Sequence, residues 1–114
     1  MKIERFEDIV AWRKAKELTE DIYRQFKICK DFSFRDQLQR ASVSIMNNIA
    51  EGFERRTNKE LINFLYIAKG SSAEVRSMLD LALEFKYITK LEFQKDYDLA
   101  VEISKMLSGF SKTL

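Results

Sequence analysis

The sequence has no histidine and no proline, and it contains only three glycines and one cysteine in 114 residues. Without histidine it lacks the triads that use an imidazole base, the usual zinc sites and the Glu-x-x-His motif of di-iron helical proteins. Gly52, Gly70 and Gly109 are too far apart for a phosphate-cradling loop. We therefore predict a protein that is not an enzyme and that uses no cofactor, metal or small-molecule substrate.

Long hydrophobic runs are also absent. The longest uncharged stretch, residues 41–50, contains two serines and two asparagines, whereas a membrane span needs about 20 apolar residues. Charges interrupt the N-terminal segment, so we expect no signal peptide. The single thiol, Cys29, cannot form an intramolecular disulfide, which suits a reducing compartment. These features predict a cytoplasmic protein with no membrane partner.

The composition favours helices. Hydrophobic residues make up 46% of the chain and charged residues 33%, while the frequent turn residues of β architectures are missing. Because the connectors between the apolar repeats are short, the sequence predicts one all-α domain over residues 1–114, an antiparallel up-down four-helix bundle. Its first helix is predicted at Asp8–Lys27, and its second at Phe34–Phe53 with Ser33 as the cap. Its third is predicted at Asn58–Lys86, after a Thr57–Glu60 capping box. Its fourth begins at a Thr89–Glu92 capping box and continues to Leu114.

The second and third helices carry more apolar surface than one bundle interior can cover. Eight apolar residues of the second helix spread over an arc of about 200° at 100° per residue. The third helix has a second apolar stripe beside its main one, formed by Ile62, Ile67, Met78, Leu81 and Leu83. Since large exposed apolar patches mark interfaces, we expect the chain to form a homo-oligomer.

Small residues recur where these two helices should meet: Gly52, Gly70, Ser71 and Ser72. Glycine inside a helix costs about 1 kcal/mol relative to alanine. Its usual explanation is packing, so we predict that the helices approach closely at these four positions.

Polar side chains form a stripe on the second helix at spacings of four, three and four: Arg40, Ser44, Asn47 and Glu51. This spacing places them on one helix face. One interpretation is an ordinary solvated face opposite the apolar arc. The other is a polar network at a subunit interface or central channel, in which Arg40 and Glu51 offset each other's charge.

The longest distinctive motif, Arg35 to Phe53, contains the core Ser-Ile-x-x-Asn-Ile-Ala-Glu-Gly and resembles the signature of the 23S rRNA intervening-sequence protein family. Trp12, Tyr23 and the run Ala68 to Glu74 resemble the family's other marks. The chain departs from many members at Met46, where they have proline, and near Lys86, where they have glycine.

This resemblance implies a homopentamer without known catalysis. Some members are encoded within intervening sequences of bacterial 23S rRNA genes. A related branch, the accessory variability determinant of diversity-generating retroelements, forms a pentameric barrel that binds nucleic acid and a reverse transcriptase.

The leading functional hypothesis is therefore a non-enzymatic oligomer that binds RNA or a ribonucleoprotein. The alternative is a protein-binding scaffold with no nucleic-acid partner. Twenty basic residues against 18 acidic ones leave a net charge of +2, which neither requires nor excludes nucleic acid. The candidate phosphate contacts are Arg13, Lys14, Lys16, Arg55 and Arg56.

Overall fold

A computed structural model describes residues 3–114 as a 3₁₀ turn followed by four α-helices, with no β-strand in that range. The turn is Phe6–Asp8, and the helices are α1 (Val10–Gln25), α2 (Phe32–Phe53), α3 (Asn58–Glu84) and α4 (Lys90–Lys112). The predicted all-α class is confirmed. Residues 1 and 2 of the predicted domain lie outside the described range. No helix among residues 3–114 is long and apolar enough to cross a membrane.

Side-chain caps fix where three of the helices begin. The Thr57 hydroxyl accepts from the backbone N–H of Glu60 at 3.1 Å. Thr89 and Glu92 form the full reciprocal capping box predicted from the sequence. The predicted cap of α2 is wrong, because Ser33 lies inside the first turn of the helix. The cap is Asp31, whose carboxylate accepts a hydrogen bond from the backbone N–H of Phe34 at 3.3 Å.

The third helix ends two residues earlier than predicted, because Lys86 adopts a left-handed conformation with φ of 62°. The backbone N–H of Lys86 donates to Leu83 O at 3.0 Å, and that of Tyr87 donates to Ala82 O at 2.8 Å. These two bonds form a Schellman motif, in which the left-handed position usually belongs to glycine.

One hydrophobic core lies between the four helices. Each helix packs on two neighbours, α1 and α3 each contacting α2 and α4, and α2–α3 is the most extensive contact. The described chain measures 42 × 22 × 19 Å. The large core side chains are fully buried, namely Leu18, Ile22, Phe26, Leu38, Ile45, Ile49, Leu65, Leu79, Ile103 and Leu107.

The small residues of α2 and α3 have different surroundings. A Cβ atom added at Gly52 would lie only 2.6 Å from the Cβ of Phe64, so the two helices approach closely there. Ser71 and Ser44 share a hydrogen bond of 2.9 Å, and the buried Ser72 donates to a carbonyl of α4 at 2.9 Å. The prediction of close packing at Gly70 is wrong within the chain, because this residue is exposed and a Cβ atom added to it would meet nothing within 4 Å.

Candidate functional site

The predicted basic residues of α1 make different contacts, and one of them pairs with a carboxylate. Arg13 donates to a backbone carbonyl at 3.1 Å. Lys14 forms a 2.9 Å ion pair with Glu102 of α4, and the hydrogen bond and charge of this carboxylate raise the pKa of Lys14. Lys16 lies over the Trp12 ring, 5.8 Å from its centroid. Lys14 is therefore the weakest candidate of the three for a phosphate contact.

The two arginines that follow α2 also differ, since one of them pairs with a carboxylate and the other does not. Arg55 pairs with Glu51 at 3.0 Å and lies 4.7 Å from the centroid of the Phe64 ring. Arg56 is exposed and makes no ion pair within residues 3–114. Phe6 lines a shallow surface pocket with Arg55 and packs edge-on against Trp12. The structure therefore brings the basic residues of early α1 and late α2 to one end of the molecule.

The polar stripe on α2 does not form a single network within the chain. Arg40, Asn47 and Glu51 are exposed, and Ser44 is half-buried. The Asn48 amide donates to the Ser44 hydroxyl at 3.0 Å, which anchors that hydroxyl toward α3. Glu51 pairs with an arginine one turn later rather than with Arg40.

The opposite end carries a surface that the sequence analysis missed. We call it the connector end, formed by residues 26–31, which join α1 to α2, and residues 85–90, which run from the end of α3 to the first residue of α4. The Tyr87 hydroxyl donates to the Asp31 carboxylate at 2.7 Å, which joins the two segments. Phe34 packs edge-to-face on Phe85 and Tyr87, with centroids 6.2 and 5.4 Å away.

Four exposed lysines belong to the two segments of the connector end. Lys27, Lys30, Lys86 and Lys90 are exposed, and none of them makes an ion pair within residues 3–114. Counting charge separately for each connector would have revealed this surface, since residues 85–90 contain two lysines and no acid.

A buried pair of carboxyl groups, also missed, joins α1 to α4. Asp96 is fully buried beside Asp21 and Gln25. Burial, and then the hydrogen bond with Asp21 and its charge, raise the pKa of Asp96 to about 7, although Gln25 and Lys95 oppose the change. A proton on Asp96 supplies the donor that two facing carboxylates lack.

Asp21 stays ionised beside it. Burial alone would raise the pKa of Asp21, but the hydrogen bond with Asp96 and the charges of Lys95 and Arg24 outweigh it and lower that pKa. Lys95 lies 3.0 Å from the second carboxylate oxygen of Asp21, and Arg24 pairs with the first. Asp21 falls between Leu18 and Ile22 at core spacing, the signal that could have identified it.

These surfaces offer binding chemistry: exposed cations, aromatic rings and apolar side chains on a rigid helical support. No group of three or more histidine, cysteine, aspartate or glutamate residues within the described range 3–114 is placed to hold a metal ion. The fold and surfaces define a small four-helix protein with exposed charged and apolar faces.

The chain belongs to the 23S rRNA-intervening sequence protein family, whose model matches residues 7–109. Its structure is similar to the crystal structure of a protein of unknown function from the S23 ribosomal protein family of Bacteroides thetaiotaomicron VPI-5482. The two chains are 27% identical and superpose with a TM-score of 0.83, covering 90% of this chain and 98% of the other. No curated protein matches the sequence. The predicted relation to the retroelement accessory determinant stays a prediction.

Proposed function

We propose that this protein is a non-enzymatic, cytoplasmic homo-oligomer that binds RNA. The observation that carries the proposal is the amount of apolar surface left uncovered on the single chain. Ten large apolar side chains are between 36% and 88% exposed. On α3 they include Tyr66, Ile67 and Leu81, two of which belong to the second stripe seen in the sequence.

Gly70 supports self-association through the same face of α3. It lies one turn from Ile67, and nothing among residues 3–114 explains a glycine at this helix-interior position. A helix of another subunit packing against Gly70 would provide the explanation, since a missing side chain lets two backbones approach. The resemblance to the family favours five subunits, with the polar stripe on α2 at their interface.

Within each subunit we infer an antiparallel up-down bundle. Contacts between α2 and α3 support it, because Gln37 bonds Glu74 while Ser44, further along α2, bonds the earlier residue Ser71. The two ion pairs between α1 and α4 follow the same reversed order. Connectors of four to six residues also favour neighbours that run in opposite directions.

Light scattering tests the oligomer. At micromolar concentration we expect a mass several times 13.5 kDa. Ile67→Lys should dissociate the assembly while keeping the helical circular dichroism, because it buries a charge in the proposed interface. Ile28→Lys, at the connector end, should leave the mass unchanged. A wild-type species of 13.5 kDa at this concentration would overturn self-association.

The proposal of RNA binding is supported by the modest positive charge of each subunit, which is repeated in every copy of the oligomer. Each chain carries +2, so five copies carry about +10. Weak phosphate contacts repeated around a ring add avidity that one subunit lacks. The candidates predicted from the sequence are Arg13, Lys14, Lys16, Arg55 and Arg56, and Lys14 and Arg55 are the two of them that already pair with a carboxylate.

A gel-shift titration with structured RNA at 50 and 200 mM salt tests this binding. A phosphate binder loses affinity steeply as salt rises. Replacing both Arg55 and Arg56 with glutamine should weaken binding, while the control Lys69→Gln with Lys105→Gln should not. Absence of salt-sensitive binding by the wild-type oligomer would refute the RNA proposal and favour a protein-binding scaffold.

A further inference from the structure

The two ends of the molecule differ in charge. At the connector end, residues 26–31 and 85–90 hold four lysines against one aspartate, Asp31. At the other end, residues 3–9 and 54–57 hold three arginines against four acidic residues. The Asp31 carboxylate already accepts bonds from the Tyr87 hydroxyl and from a backbone N–H. The four connector-end lysines thus face solvent without a partner among residues 3–114 and are free to meet phosphates.

Exposed aromatic rings belong to the same two segments or directly follow them in the sequence. Phe32 is 59% exposed, and the Arg35 guanidinium lies 4.8 Å from its ring centroid. Phe85 and Tyr87 are also exposed, and their contacts with Phe34 hold them in place. Alternating cations and exposed rings suit single-stranded nucleic acid, whose unpaired bases stack on aromatic side chains. In a duplex the bases are stacked on each other and unavailable to such rings.

The backbone supports a functional role for Lys86. Its left-handed conformation strains any residue with a Cβ atom, and glycine would relieve that strain. Because the chain keeps a lysine at this strained position, we infer that the charge of Lys86 has a function. A two-fold contact between two connector ends is disfavoured, because it would bring two sets of unpaired lysines together.

We propose that the connector end binds single-stranded nucleic acid, with the adjoining Phe32, the first residue of α2, stacking a base and Lys30, Lys86 and Lys90 contacting phosphates. This inference rests on the RNA binding proposed above and moves its main site away from Arg55 and Arg56.

The test is fluorescence anisotropy of the intact oligomer with a labelled 15-nucleotide RNA, single-stranded or annealed to its complement. We expect tighter binding of the single strand. Phe32→Leu should weaken that binding about fivefold or more, as loss of one stacked base does. Replacing Lys30, Lys86 and Lys90 with glutamine should reduce the slope of log affinity against log salt by about 2.

Lys86→Gly separates binding from folding. This variant should melt at a higher temperature than wild type and yet bind the single strand more weakly, so unfolding cannot explain the loss. The control, Lys69→Gln with Lys105→Gln, should bind like wild type.

Each outcome has a distinct meaning. If the oligomer binds neither RNA, the proposed function itself fails. If it binds RNA but the connector-end variants bind like wild type, or if it prefers the duplex, only this inference is overturned. A change in the mass of the Phe32→Leu oligomer would also overturn it, by showing that another subunit occupies the surface.

Discussion

Replacing Asp96 with asparagine tests whether Asp96, on α4, holds a proton that forms a hydrogen bond with Asp21, on α1. Asp96 is fully buried against the ionised Asp21, and its pKa is raised to about 7. In the unfolded chain an aspartate has a pKa of about 3.9. The side chain therefore takes up a proton on folding throughout the pH range between these two values.

The sign of the effect follows from this proton. Between about pH 4 and pH 7 the folded chain holds one proton more than the unfolded chain, so its free energy of unfolding falls as pH rises, by about 1.4 kcal/mol per unit. The fall ends above pH 7, where Asp96 is ionised in both states. Asp21 has a lowered pKa, so the stability that it contributes is lost only as pH drops below about 4. Asp21 therefore does not offset the fall in the free energy of unfolding that Asp96 causes as pH rises.

Asparagine resembles the protonated carboxyl group in shape and can donate to Asp21, but it does not titrate. We therefore expect Asp96→Asn to gain stability over wild type as pH rises, by about 3 kcal/mol between pH 5 and pH 8. Urea unfolding followed by circular dichroism measures this gain. All samples need one protein concentration, since the stability of an oligomer depends on it.

Asp80→Asn is the matched control, because Asp80 is exposed and makes no ion pair within residues 3–114. Its stability should follow the wild-type curve across the same pH range. If the Asp96→Asn curve also runs parallel to wild type from pH 5 to pH 8, the shared proton does not exist.

The remaining predictions concern packing and caps, and urea unfolding at neutral pH measures all of them. Gly52→Ala should destabilise the fold by about 1–3 kcal/mol, because its new methyl group would overlap Phe64, whereas Gly70→Ala should cost less, because its methyl group would meet nothing within 4 Å among residues 3–114. Equal effects at the two glycines would contradict the packing described. Asp31→Ala should cost about 1 kcal/mol as a lost helix cap, and Ser33→Ala, inside the first turn, should cost less. A larger loss at Ser33 would restore it as the cap.

The helices could be predicted because their signals are local. Thr57 and Thr89 cap helices in the sequence pattern and in the structure alike. The start of α2 was misplaced because Asp31 and Ser33 are both good caps, and only the packing of the connector selects between them. Helical spacing placed Gly70 on a face of α3 but could not determine whether another helix of the same chain covers it.

The candidate surfaces were harder to predict because they combine residues that are distant in sequence. Asp21 and Asp96 each read as solvated carboxylates until α1 and α4 are brought together. The lysines of the connector end belong to two segments that are distant in sequence and that the Tyr87–Asp31 hydrogen bond joins in the structure. Net charge averaged over the whole chain concealed this grouping.

The position of the proposed binding surface at helix ends has a physical basis. Along the helices, the side-chain positions that do not face solvent are constrained by the core, by a neighbouring helix or by the subunit interface that we propose. Only in a connector can the backbone leave the helical conformation, as it does at Lys86 with φ of 62°. There a lysine and exposed rings can be introduced without disturbing the core. We therefore expect the binding properties of this fold to change through substitutions in its connectors, while the helices keep their positions and hold the connectors in place.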